Sequence, residues 1–159
     1  MQGHKGIHWP DYYHPRHAQL HVSNELLIEV DAPPVWSLLV HAPYWPSWSN
    51  SKTSVQILNG DGVELTKGSL FRWKTTGMNF TCTVVEYVPN HRIAWRGKCG
   101  EVDMYHAWLI EPNDKGCRVI TESTQRGGLT WLTRYFNTSR IASYHHKWLK
   151  QIQQQTCDT

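Results

Sequence analysis

Charge is scarce in this chain: Asp, Glu, Lys and Arg make up only 18% of its 159 residues, against 40% hydrophobic. The 16 basic and 13 acidic residues are scattered without blocks, so the net charge of +3 is too diffuse for the phosphate-tracking surface that a nucleic-acid partner needs. The four cysteines, Cys82, Cys99, Cys117 and Cys157, include no CxxC pair and no regular framework, and they read as reduced thiols. No run approaches the ~18 consecutive apolar residues of a membrane span, and the N-terminus lacks the basic-then-apolar order of a signal peptide. The expectation is a soluble, cytoplasmic protein with no membrane span. No Gly-rich loop opens a helix, because Asn59-Gly60-Asp61-Gly62 has the chemistry of a hairpin or loop. No motif places a Ser nucleophile beside a His base.

What the chain does have is tryptophan, nine of them. Its length suits one domain with a real core. Residues 1–19, rich in His, Pro and Tyr, have neither helical nor strand periodicity and read as an arm. Within it Ile7, Trp9, Tyr12 and Tyr13 are costly to leave in water, so the arm is expected to lie on its own domain or on a partner subunit, making a homodimer possible.

From residue 20 onward the pattern is that of a folded domain. Leu20 to Val30 is an extended run stopped by Asp31-Ala32-Pro33-Pro34, and Val35 to Val40 reads as a short helix with prolines in its first turn. Ala42-Pro43-Tyr44-Trp45-Pro46-Ser47-Trp48 is a second turn or helix, aromatic enough to plug one end of a sheet. Six strands follow, at Val55–Leu58, Gly68–Thr76, Met78–Val88, Arg92–Lys98, Met104–Glu111 and Arg118–Thr124, separated by Gly, Asn, Asp or Pro signals. Phe71, Trp73 and Thr75 alternate with Arg72 and Lys74, which predicts one buried and one wet face. Gly77, Gly97 and Gly100 read as turns or bulges that let the sheet curl.

The chain closes on a helix from about Leu129, with Thr130 as N-cap, to about Gln155, a length of roughly 40 Å. Its apolar stripe comprises Trp131, Tyr135, Thr138, Ala142, His145, Leu149 and Ile152, widened by Leu132, Phe136, Ser139 and Trp148. The stripe is bulky at both ends and small in the middle. Such a helix is expected to stand off the sheet at its centre and leave a ligand cavity.

This order, and several local motifs, resemble the START-like or SRPBCC superfamily. Ala32-Pro33-Pro34-x-Trp36 with Trp45-Pro46-x-Trp48 is similar to that family's first helix and following turn, and Gly68-x-x-Phe71-x-Trp73 to its next strand. The stretch His106-x-Trp108-x-x-Glu111-Pro112, Gly116-x-Arg118-Val119, Thr121-Glu122-Ser123 and Gly127 resembles the final hairpin of the polyketide cyclase/dehydrase-like branch. The resemblance spans Leu20 to Ile152 and implies an α+β helix-grip fold: a curved antiparallel sheet of about seven strands wrapped around the C-terminal helix, with two short helices after the first strand. It narrows function to binding a small hydrophobic or aromatic molecule, lipid- or polyketide-like, or to a cofactor-independent cyclase, dehydratase or isomerase using the same cavity.

Candidate cavity residues are Phe71, Trp73, Phe80, Trp95, Trp108, Tyr135, Ser139 and Ala142; each aromatic could equally fill a solid core. If the turn Asn113-Asp114-Lys115-Gly116 sets Trp108 opposite Ile120, then His106 lies near Glu122 on the same face. Such a pair could perform acid/base chemistry, helped by Tyr135 or Tyr105, or could simply stabilise the hairpin. A slip of one residue would send the two to opposite faces. His4 with His8, His14 with His17, and His17 with His21 have the spacing of ligands on a helical face, but Pro10 and Pro15 interrupt any such helix. No metal and no cofactor is expected.

Overall fold

The computed structural model describes residues 3–49, 52–75, 77–128 and 130–158, and in the last helix the side chains from 138 onward. Seven strands form one antiparallel sheet: β1 (Leu20–Ile28), β2 (Ser54–Ile57), β3 (Leu70–Thr75), β4 (Met78–Val88), β5 (Arg92–Cys99), β6 (Val102–Asn113) and β7 (Gly116–Arg126). Their order across the sheet is β1-β7-β6-β5-β4-β3-β2. Between β1 and β2 lie α1 (Ala32–Val40), a 3-10 turn (Ala42–Tyr44) and α2 (Trp45–Trp48); α3 (Thr130–Cys157) closes the chain. This is the helix-grip arrangement of an α+β fold.

Local chemistry accounts for these elements. Pro33 and Pro34 stand in the first turn of α1, where a missing N–H breaks no helical bond. In β3, Phe71, Trp73 and Thr75 are buried while Arg72 and Lys74 are exposed, as the two-residue period requires. Bending comes from a register shift in the β4–β5 ladder between Val84 and Glu86. Gly97, expected as a turn or bulge, instead sits within a regular ladder, where a Cβ would come within 2.9 Å of both Cys82 Sγ and Met104 Cε.

The inner face of the sheet carries the main core, with Trp36, Leu39 and Trp45 from the short helices and Trp148, Leu149 and Ile152 from α3 packed on Phe71, Trp73, Phe80, Trp95 and Trp108. On α3 the buried stripe is Ile141, His145, Trp148, Leu149, Ile152 and Thr156. Ser139, expected under the helix, is exposed, and Ala142 packs with Ile141 against Leu20 and Val22. The side chains of Trp131, Tyr135 and Phe136 lie outside the described residues.

The arm lies on the outer face. Ile7, Trp9 and Tyr13 cover Ala94, Tyr105, Ala107, Leu109 and Ile120, so these outward-facing residues of β5, β6 and β7 are buried too. Gly6 permits this close approach, since a Cβ there would meet Leu109 Cδ2 at 2.6 Å. Tyr105 therefore belongs to the arm contact and does not reach the interior. Of the arm's histidines, His14 lies between the 3-10 turns at Asp11–Tyr13 and Pro15–His17 and His17 ends the second, while His4 and His8 precede both, and among the described residues no group of three His, Cys, Asp or Glu is gathered as a metal site.

Candidate functional site

The register of the last hairpin decides what the interior can do. Asn113 Oδ1 accepts a hydrogen bond from the Lys115 N–H at 2.9 Å, an Asx turn that makes Asp114-Lys115 the loop and Asn113 and Gly116 the closing pair. Gly116 is required at this point: with φ at +151°, a Cβ would come within 2.2 Å of the Ile28 carbonyl oxygen. From that closure Trp108 pairs with Thr121 and His106 with Ser123, while Glu122 pairs with Ala107. The pairing of Trp108 with Ile120 expected from the sequence is one residue out. His106 and Glu122 consequently occupy opposite faces of the sheet and cannot exchange a proton.

His106 projects inward. It is buried, and Nε2 lies 2.7 Å from Thr121 Oγ1 on the neighbouring strand. Aromatic rings enclose it: Trp95 at 5.0 Å, Trp73 and Trp108 at 5.5 Å, and the ring of His145 from α3 stacked at 4.7 Å and 21°. Burial, with a smaller contribution from His145, holds the His106 imidazole well below the usual histidine range. Burial alone lowers His145 to about 4. Both rings are neutral at pH 7.

Followed across the ladders, the inner face of the seven strands carries no Asp, Glu, Lys or Arg among the described residues. Its polar groups are neutral, and several lack a partner. Trp45 Nε1 donates to the Leu38 carbonyl at 3.1 Å and Trp73 Nε1 to Thr53 Oγ1 at 3.3 Å. By contrast, among the described residues Trp95 Nε1, Trp108 Nε1, Trp148 Nε1, His106 Nδ1 and His145 Nδ1 are buried without a hydrogen-bond partner. The aromatic candidates Phe71, Trp73, Phe80, Trp95 and Trp108 all belong to this region and are 0–2% exposed. Against the half of α3 that begins at Ile141 they form a packed layer, with Trp45, Trp73, Trp95 and Trp148 in edge-to-face or tilted contact. A groove of about 660 Å³ lies between the end of β1, the β6–β7 turn and the end of α3, but no inner-face aromatic lines it.

Glu122 faces outward and is fully buried beneath the arm. One carboxylate oxygen lies 2.6 Å from His21 Nε2 and the other accepts the His4 backbone N–H at 2.7 Å. Around it, Arg118 pairs with Glu111 at 2.8 Å, and His8 Nδ1 lies 2.9 Å from Glu86. Sequence reading missed His21 and His145 as partners because each contact joins segments far apart in the chain. Their only sequence signal was position: His145 within the helical stripe, His21 inside the first strand.

Known proteins share this architecture. The profile of the family described as polyketide cyclase / dehydrase and lipid transport matches residues 19–150. A hypothetical protein of Helicobacter pylori, jhp0584, is 25% identical over 96% of each chain, with a TM-score of 0.83. The ZhuI aromatase/cyclase of Streptomyces sp. R1128 is 16% identical over 85% of this chain and 92% of its own, with a TM-score of 0.69. TTHA0849 of Thermus thermophilus is 16% identical over 84% and 94%, with a TM-score of 0.68. Among curated proteins none matches the sequence. No helix among the described residues is long and apolar enough to cross a membrane.

Proposed function

From the premise that this chain belongs to the polyketide cyclase/dehydrase and lipid transport family, we propose that it binds a small, neutral, hydrophobic or aromatic molecule between the sheet and α3. One observation carries this reading: five nitrogen atoms stand buried and unpartnered in a single aromatic layer that contains no charged side chain among the described residues. Each such group costs about 1–3 kcal/mol while it has no partner, which a guest with matching polar atoms would recover. Indole N–H groups only donate. The guest is therefore an apolar body bearing carbonyl or hydroxyl oxygens, which enters by parting the packed layer and is then held by contact with Trp95 and Trp108 and oriented by His106. A charged guest is disfavoured because the inner face offers no counter-ion among the described residues.

A second reading, a cofactor-independent cyclase or dehydratase, draws support from the neutral His106–His145 stack and from the likeness in fold to an aromatase/cyclase. In that reading His106, as an unprotonated imidazole, takes or relays the proton without Glu122. Native mass spectrometry of the purified protein tests binding: a co-purified neutral compound, lost in His106→Phe, is expected. A protein that emerges at its bare mass and leaves its tryptophan fluorescence unchanged across a panel of aromatic ketones and phenols sinks the proposal. Turnover of an identified guest that survives in His106→Gln removes the second reading while leaving the first.

A further inference from the structure

The outer face of the sheet divides into a half whose acids and bases are engaged with one another or with the arm, Arg92, Arg118 and Arg126 among them, and a half whose cations are largely without acidic neighbours. Its acids cluster where the arm lies: Glu122 is bound by His21 and the His4 N–H, Glu111 by Arg118, Glu86 by His8, and Asp103 by the Tyr12 hydroxyl at 2.9 Å. The half that the arm leaves open carries cations. Register places Arg72, Thr81 and Lys98 in one row across β3, β4 and β5, with Lys74 and Arg96 in the flanking rows. All four basic side chains are exposed, and among the described residues only Lys98 has an acidic neighbour, Asp103 at 3.8 Å. Arg72 and Lys98, two strands apart, stand ~10 Å from each other, and each i, i+2 pair ~7 Å. These spacings are comparable to the Debye length of ~8 Å at physiological salt, so the four act on one partner together.

We propose that this open half is a docking surface for an anionic lipid membrane. Charge complementarity selects an anionic partner. Two further features select a lipid surface over nucleic acid. Among the described residues, the outward positions of β2 to β5 hold no aromatic side chain on which a base could stack, Tyr13 of the arm, which borders Thr81, Arg96 and Lys98, has its ring engaged by Tyr12 and Tyr105, and no helix projects from this face to enter a groove. Leu58, 39% exposed, continues the same face at the β2 edge beside Leu70, with its N–H bonded to the Leu70 carbonyl. An apolar side chain left in water next to cations suits the boundary between headgroups and acyl chains. Docking here is a property of the outer surface and does not depend on what the interior holds.

Cosedimentation of the full chain with vesicles of phosphatidylcholine, alone or with about one third phosphatidylserine, tests this surface. Binding is expected only to the anionic vesicles and only at low salt, weakening about fivefold for each of Arg72→Gln, Lys74→Gln, Arg96→Gln and Lys98→Gln. Because all four positions are exposed, the quadruple variant keeps its fold, which circular dichroism verifies. Lys147→Gln with Lys150→Gln, on the exposed side of α3, is expected to leave binding unchanged. No binding at low salt, equal binding to neutral vesicles, or an undiminished quadruple variant would overturn the proposal. An equal effect from the α3 substitutions would reduce it to net charge, and binding of a single-stranded oligonucleotide in preference to vesicles would overturn the lipid assignment.

Discussion

Two pairs of side chains set the residue-scale chemistry, and each makes a separate prediction. His106 and His145 are neutral in the folded protein because burial disfavours their charged forms. In the unfolded chain a histidine regains its ordinary pKa near 6.5, so as pH falls below that value the unfolded state binds protons that the folded state refuses. Stability therefore drops as pH falls from about 6.5 to the His145 value of about 4, by about 1.4 kcal/mol per pH unit for each ring still neutral when folded. Urea denaturation at several pH values is expected to show this slope, and His145→Gln to reduce it. His21 and Glu122 form a buried contact on the other face, with side-chain exposures of 9% and 0%. Removing His21 leaves one oxygen of the buried Glu122 carboxylate without its partner while the other keeps the His4 N–H, so His21→Ala is expected to cost about 3 kcal/mol, measured by the same denaturation at pH 7.

At the scale of elements, the arm and the last hairpin matter most. Deleting residues 1–18 uncovers Tyr105, Leu109 and Ile120 and removes the His4 N–H from Glu122, so the truncated chain is expected to lose stability and gain exposed apolar surface. Increased binding of a hydrophobic dye and a lower melting temperature check this. The hairpin shows how much a turn controls. Both strands were legible from composition and alternation, yet the pairing that puts His106 inside and Glu122 outside depends on Asn113 capping a two-residue loop. In the sequence, the same four turn residues were compatible with either register. On α3 the helical stripe identified His145, Trp148, Leu149 and Ile152, but it placed Ser139 on the inner side, where the packing against β1 turns it to solvent. A wide stripe defines a face only to within one residue position, and the neighbouring sheet makes the final choice.

For the whole molecule, the two faces of one sheet separate a neutral interior from a charged exterior. The apolar side chains of the arm are engaged on the chain's own sheet, so the protein is expected to sediment as a monomer of 18.5 kDa, a mass that sedimentation velocity reads directly. Residue order alone determined the strands, the proline-started helices, the long terminal helix and the aromatic composition of the core, because propensity, alternation and helical period act over a few neighbouring residues. Tertiary structure alone decided which faces His106, Glu122 and Ser139 occupy, that His145 stacks on His106, that His21 meets Glu122, and that Arg72 and Lys74 gather with Arg96 and Lys98 on one surface. Those outcomes depend on ladder register and on the packing of segments far apart in the chain, and neither is encoded by any single local pattern.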